Sequence, residues 1–170
     1  MGVLADRLDC MQVTATSPDG QIAGVLRNRT EVLIAFRPGS YGRYSESVLA
    51  DQLGALARLL WAGRTREYYA ALSEAFGETI TGESPAISER DRYYRAAREE
   101  LLAEGRSADG LVYVGVQGMR TWAVRVADGT IREFDEHEFA THVYEASHAM
   151  INDQFAKIRQ LKNYCYADEV

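Results

Sequence analysis

The sequence predicts an α+β fold built from two related strand–strand–helix modules, and three observations carry that prediction. Two turn sequences, Ser17-Pro18-Asp19-Gly20 and Ser107-Ala108-Asp109-Gly110, stand 90 residues apart. Each is followed by two short apolar runs separated by a polar break. Each pair of runs leads into a helical stripe whose apolar residues step by 4, 3 and 4. Recurrence of the whole order at one offset is the mark of a duplicated unit. Any hairpin followed by a helix shares part of this order, so the constant offset carries the inference.

In each turn, Gly supplies a positive φ and Asp can bond its own backbone. The apolar runs 21–26 and 111–116 come next, then the breaks 27–30 and 117–120. Val32, Ile34 and Phe36 alternate along one predicted strand, and Trp122, Val124 and Val126 along its counterpart. Gly39 and Gly129 close the hairpins. Ser45 and Asp135 are good N-cap residues, and Glu138 follows Asp135 at capping-box spacing. Leu49, Leu53, Leu56 and Leu60 form the first stripe; Phe139, Val143, Ala146 and Met150 form the second.

Upstream of the turns the copies differ. Cys10 to Thr16 alternates, with Met11, Val13 and Ala15 on one side, and reads as a strand. Glu89 to Glu104 reads as a helix capped by Ser88, with Tyr94, Ala97, Leu101 and Leu102 on its apolar side. Glu78 to Ile87 holds Gly82, Ser84 and Pro85 and reads as a linker. The expected layout is β-β-β-α, linker, α-β-β-α: a first module over 1–77, a linker over 78–88 and a second module over 89–170, packed as a pseudo-dimer.

Several classes recede on composition. No stretch approaches the roughly 20 apolar residues of a membrane helix, and Met1 to Asp9, with Asp6, Arg7 and Asp9, does not read as a secretory signal. A cytoplasmic protein without membrane insertion is expected, its two cysteines, Cys10 and Cys165, being free thiols. The net charge of −6 argues against a large nucleic-acid footprint. Residues 1–80 carry 8 basic and 9 acidic side chains, and residues 81–170 carry 11 and 16, so the first module is the less acidic. Arginine supplies all but two of the 19 basic residues.

The run Val13-Thr14-Ala15-Thr16-Ser17-Pro18-Asp19-Gly20-Gln21-Ile22-Ala23-Gly24-Val25, continued through Arg37-Pro38 to Leu49-Ala50-Asp51-Gln52-Leu53, resembles the YbaB/EbfC family. Those proteins are small dimeric nucleoid-associated factors of bacteria. The same core is similar to actinobacterial proteins associated with type VII (ESX) secretion. The resemblance covers residues 11–77 and, more faintly, 107–163. It departs from the family pattern upstream: copy one lacks room for the long leading helix, and copy two shows no clear first strand.

Motifs for chemistry are sparse. His137-Glu138-Phe139-Ala140-Thr141-His142 has its histidines five apart, which turns the second imidazole about 140° around a helix and away from zinc-site geometry. His148 is no better placed, so no metal and no cofactor is expected. Arg37-Pro38-Gly39-Ser40-Tyr41-Gly42 lacks the Lys-Ser/Thr ending of a phosphate loop. No carboxylate pair stands out for acid–base work, so an enzyme is not expected. Two binding readings remain. Arg27, Arg29, Arg37 and Arg43, with Tyr41 and Tyr44 interleaved, are the candidate DNA contacts, as the nucleoid-associated resemblance implies. Trp61, Tyr68, Tyr69 and Phe76 extend the first helix beyond its stripe and are the candidate partner contacts; Ile151, Phe155, Ile158 and Leu161 do the same for the second. A protein-binding scaffold or chaperone, as the secretion-associated resemblance implies, is the leading expectation. A homodimer or a client protein would be the partner.

Overall fold

A computed structural model describes residues 3–167; the outermost ends of the two expected modules, 1–2 and 168–170, lie outside the described residues. A short helix α1 (Val3–Asp9) leads into strands β1 (Gln12–Thr16), β2 (Ile22–Arg27) and β3 (Glu31–Phe36). A single 3-10 turn, Tyr41–Arg43, precedes the helix α2 (Glu46–Phe76). The second half runs α3 (Glu89–Glu100), β4 (Leu102–Arg106), β5 (Val112–Gln117), β6 (Thr121–Val126), a four-residue helix α4 (Thr130–Glu133) and α5 (Glu136–Tyr166). Strands and long helices of the two halves begin and end 90 residues apart. Each half holds a three-stranded antiparallel sheet, in the orders β1-β2-β3 and β4-β5-β6.

The repeat extends to individual hydrogen bonds. Ser17 Oγ donates to Asp19 Oδ1 at 2.6 Å and accepts the Ile22 amide at 2.9 Å. Ser107 Oγ does the same with Asp109 Oδ1 at 2.7 Å and the Val112 amide at 3.0 Å. Both serines are buried, so each turn satisfies its own polar groups where water is excluded. The β2–β3 turn has Asn28 and Arg29 at φ 49° and 68°, and the β5–β6 turn has Gly118 and Met119 both at 56°. Two successive positive φ values give the turn a twist that suits a hairpin, here between the paired residues Arg27 and Glu31 and between Gln117 and Thr121. The long helices are capped as expected: Ser45 accepts the Val48 amide, and Asp135 forms a full capping box with Glu138.

Two expectations are corrected. The predicted helix over 89–104 stops at Glu100, and Leu102–Arg106 is a strand paired with β5, so the second copy has the first strand it was expected to lack. Leu101 and Leu102 therefore leave the helix, and Leu102 is exposed. In the first copy, α1 occupies the place of the leading helix in shortened form and packs on α2. The layout is a repeat of helix, three strands and long helix.

The two sheets share one core. Helix α2 crosses β1 of its own sheet and β6 of the other; α5 crosses β4 and β3. Leu49, Leu53, Leu56 and Leu60 are buried, as are Phe139, Val143, Ala146 and Met150. Phe139, fully buried, lies 6.1 Å from the Phe36 ring and 5.5 Å from the Tyr41 ring, across the junction of the halves. Neither half covers its own sheet alone, the behaviour of a dimer drawn into one chain.

A polar latch adds to this junction. Glu46, in the first turn of α2, accepts the amides of Gly129 (2.9 Å) and Ile131 (3.4 Å) at the start of α4. Its carboxyl sits below the usual range, chiefly through its own backbone amide and, against a desolvation penalty, through those two amides. A depressed folded pKa means this contribution is present at neutral pH and lost as pH falls through that value. Glu46→Gln is expected to lower the urea midpoint near neutral pH, with the two proteins converging in acid; paired denaturation series across pH check this.

Candidate functional site

The second halves of α2 and α5 carry apolar side chains on past the stripes that cover the sheets. Between them and the inner faces of the sheets lies a cavity of about 630 Å³. That volume falls within the range of ordinary ligand pockets. The helices contribute by equivalent positions: Leu60, Trp61, Arg64, Thr65 and Tyr68 from α2 face the space, as do Met150, Ile151, Gln154, Phe155 and Ile158 from α5. Val32, Ile34, Trp122 and Val124 form the sheet side. Tyr68, about one-third exposed, marks where the cavity meets solvent.

Charge in the lining runs against that of the chain. Arg29, Arg64, Arg98, Arg120 and Lys162 face the cavity and Glu83 alone opposes them. Three of the cations meet carboxylates. Arg98 makes a two-pronged pair with Glu83 at 2.6 and 2.8 Å, whose hydrogen bond holds the Glu83 carboxyl below its ordinary value. Arg120 meets Glu99 at 3.2 Å. Arg29 contacts Asp9 at 3.0 Å, both half exposed, and lies 5.9 Å from the Phe155 ring. Arg64 stacks 5.2 Å from Trp61. Burial, then the neighbouring Arg29, push the Arg64 guanidinium below the usual arginine range. The Gln154 side-chain oxygen is buried without a hydrogen-bond partner among the described residues. The lining hydroxyls Thr65 and Ser147 donate to carbonyls one turn back, on Trp61 and Val143.

Of the expected partner contacts, Trp61, Tyr68 and Tyr69 line this cavity together, while Phe76 projects into solvent at the end of α2, two-thirds exposed. The expected DNA contacts are divided. Arg27 and Arg29 lie at the β2–β3 turn, where Arg27 pairs with Glu31 at 2.9 Å. Arg37 and Arg43 lie past the far end of β3, both exposed. A six-residue strand separates the pairs, roughly 20 Å at ordinary strand rise. The histidines also lie apart. His137 is exposed, His142 packs on Phe134 with Asp109 Oδ2 3.2 Å away, and His148 stacks on Tyr144. Sequence reasoning gave Tyr94 only a place on a helix's apolar side and passed over Arg98 and Glu83; the linker and α3, packed on α5, bring all three to the cavity. The Ser73 Oγ–Ile80 amide bond at 2.8 Å anchors the start of the linker, and only chain-distant contacts reveal this placement.

No protein-family model, no curated protein and no solved structure matches the chain. Among the described residues, no helix is long and apolar enough to cross a membrane.

Proposed function

We propose that this chain is a non-enzymatic binding protein, a scaffold or chaperone-like factor that receives an apolar stretch of a partner protein between its two long helices. The cavity walled by Trp61, Tyr68 and Tyr69 carries this reading. Large aromatic side chains at a partly open, largely apolar space are the usual anchors of a protein interface. A setting in type VII secretion accords with the resemblance noted above, and a cytoplasmic location follows for a factor that meets its client before export. The nucleoid-type DNA-binding reading has less support, because the four arginines that would carry it stand in two separated pairs.

A fluorescent amphipathic helical peptide, with leucine and phenylalanine along one face and glutamine elsewhere, tests this by anisotropy. Trp61→Ala is expected to weaken its binding by about 2 kcal/mol, roughly thirtyfold, as loss of an interface anchor does. The combined Arg27→Ala, Arg37→Ala and Arg43→Ala protein should bind the peptide unchanged. Arginine-dependent, salt-sensitive binding of duplex DNA in place of the peptide would overturn the reading.

A further inference from the structure

We propose that the partner segment held in this groove is acidic as well as apolar, with a carboxylate seated at Arg29 and Arg64: the groove selects the acidic face of an amphipathic helix. The inference rests on the protein-binding reading and names the chemistry of its partner.

Three independent features point to this chemistry. The first is the sign of the lining: in a chain of net charge −6, the cavity gathers five cations against one carboxylate. The second is the state of those cations. Arg98 is matched by Glu83, and Arg120 meets Glu99 in a largely exposed pair. Arg64 is partly desolvated and makes no ion pair with a carboxylate among the described residues, and Arg29 is close enough to act on its charge. A second arginine beside a partly desolvated guanidinium is unfavourable, and an anion between the two offsets it. Asp9 answers Arg29 only from the exposed side, through a half-exposed pair. Such a pair is weak and can yield to a better-buried anion.

The third feature is the comparison of the halves. The position of Arg64 on α2 is that of Gln154 on α5, and the position of Arg29 is that of Met119. Gln and Met fill these places in the same backbone setting; Met119 adopts the same left-handed conformation as Arg29. The fold therefore does not need arginine at either place. The aromatic faces of Trp61 and Phe155 steady both guanidiniums, and a carboxylate between them would take N–H groups of Arg64 and, in exchange for Asp9, of Arg29.

The experiment compares three peptides sharing one apolar face and carrying glutamate, glutamine or lysine beside it, with sodium dodecanoate as a small anionic amphiphile. On the native protein the glutamate peptide should bind about tenfold more tightly than the glutamine peptide, the equivalent of one charge-assisted hydrogen bond, and the lysine peptide more weakly than both. Arg64→Gln and Arg29→Met, each installing the residue of the other copy, should remove the glutamate preference, so that the glutamate and glutamine peptides bind equally. An unchanged urea midpoint would show that they remain folded. If the glutamine peptide binds through Trp61 and glutamate adds nothing, the anion site is wrong and the underlying reading stands. If no peptide binds, the underlying reading falls and this one with it. Arg64-dependent binding of dodecanoate alone would overturn the protein partner in favour of a small amphiphile.

Discussion

Phe139→Ala is expected to cost about 3–5 kcal/mol, the range for truncating a buried phenylalanine, while the protein still unfolds in one transition. Phe139 has no exposed surface and packs its ring on Phe36 and Tyr41 from the other half. Its loss opens a cavity at the point where both halves depend on each other, so both should weaken together. Each half carries one tryptophan, Trp61 and Trp122, which makes the claim checkable. Trp61→Phe and Trp122→Phe versions of the native and Phe139→Ala proteins report each half separately by fluorescence. Coincident urea midpoints are expected in both backgrounds. Midpoints that separate would show two independent modules and contradict the shared core.

Gly105→Ala is the second large effect. A methyl carbon at Gly105 would lie 2.1 Å from the Ala146 carbonyl oxygen and 2.3 Å from the Met150 nitrogen. These are backbone atoms of α5 and cannot rotate aside, so β4 and the helix must part along the line that carries Phe139 and Met150. A destabilisation of about 1–3 kcal/mol or more is expected, as for other overpacked sites. Gly24→Ala is the matched control: the nearest atom there is the Leu56 Cδ2 at 3.0 Å, the end of a flexible side chain. Thermal unfolding of the two variants side by side should show a much larger loss at Gly105. Equal losses would mean that the close approach of β4 to α5 is not rigid.

That approach also explains where the sequence was hard to read. The hairpins, caps and stripes were legible because Val32 to Phe36 and Leu49 to Leu60 show their burial as apolar periodicity. Strand β4 was not. Its inward residues are Ala103 and Gly105, small enough to admit the helix backbone and therefore silent in any hydrophobic pattern. Its outward residues, Leu102, Glu104 and Arg106, suit a helix, and pairing with β5 overrides that propensity. The cavity was legible in part for a similar reason. Trp61, Tyr68 and Tyr69 stood out as apolar surface in excess of what a hairpin covers. Arg64 gave no such signal, because a charged residue within a helix carries no apolar periodicity that reports its burial.

Joining two such modules in one chain has a consequence for recognition. A homodimer of one module would have a true two-fold axis, and its groove would accept a helical segment equally well in either direction. Here the symmetry is broken at paired positions, Arg64 against Gln154 and Arg29 against Met119, so the two directions of threading a segment would differ in energy. The tether between the halves thus does more than keep them together. On the protein-binding proposal, it would give the groove a head and a tail, and a segment laid in it would take a fixed polarity relative to the rest of the molecule.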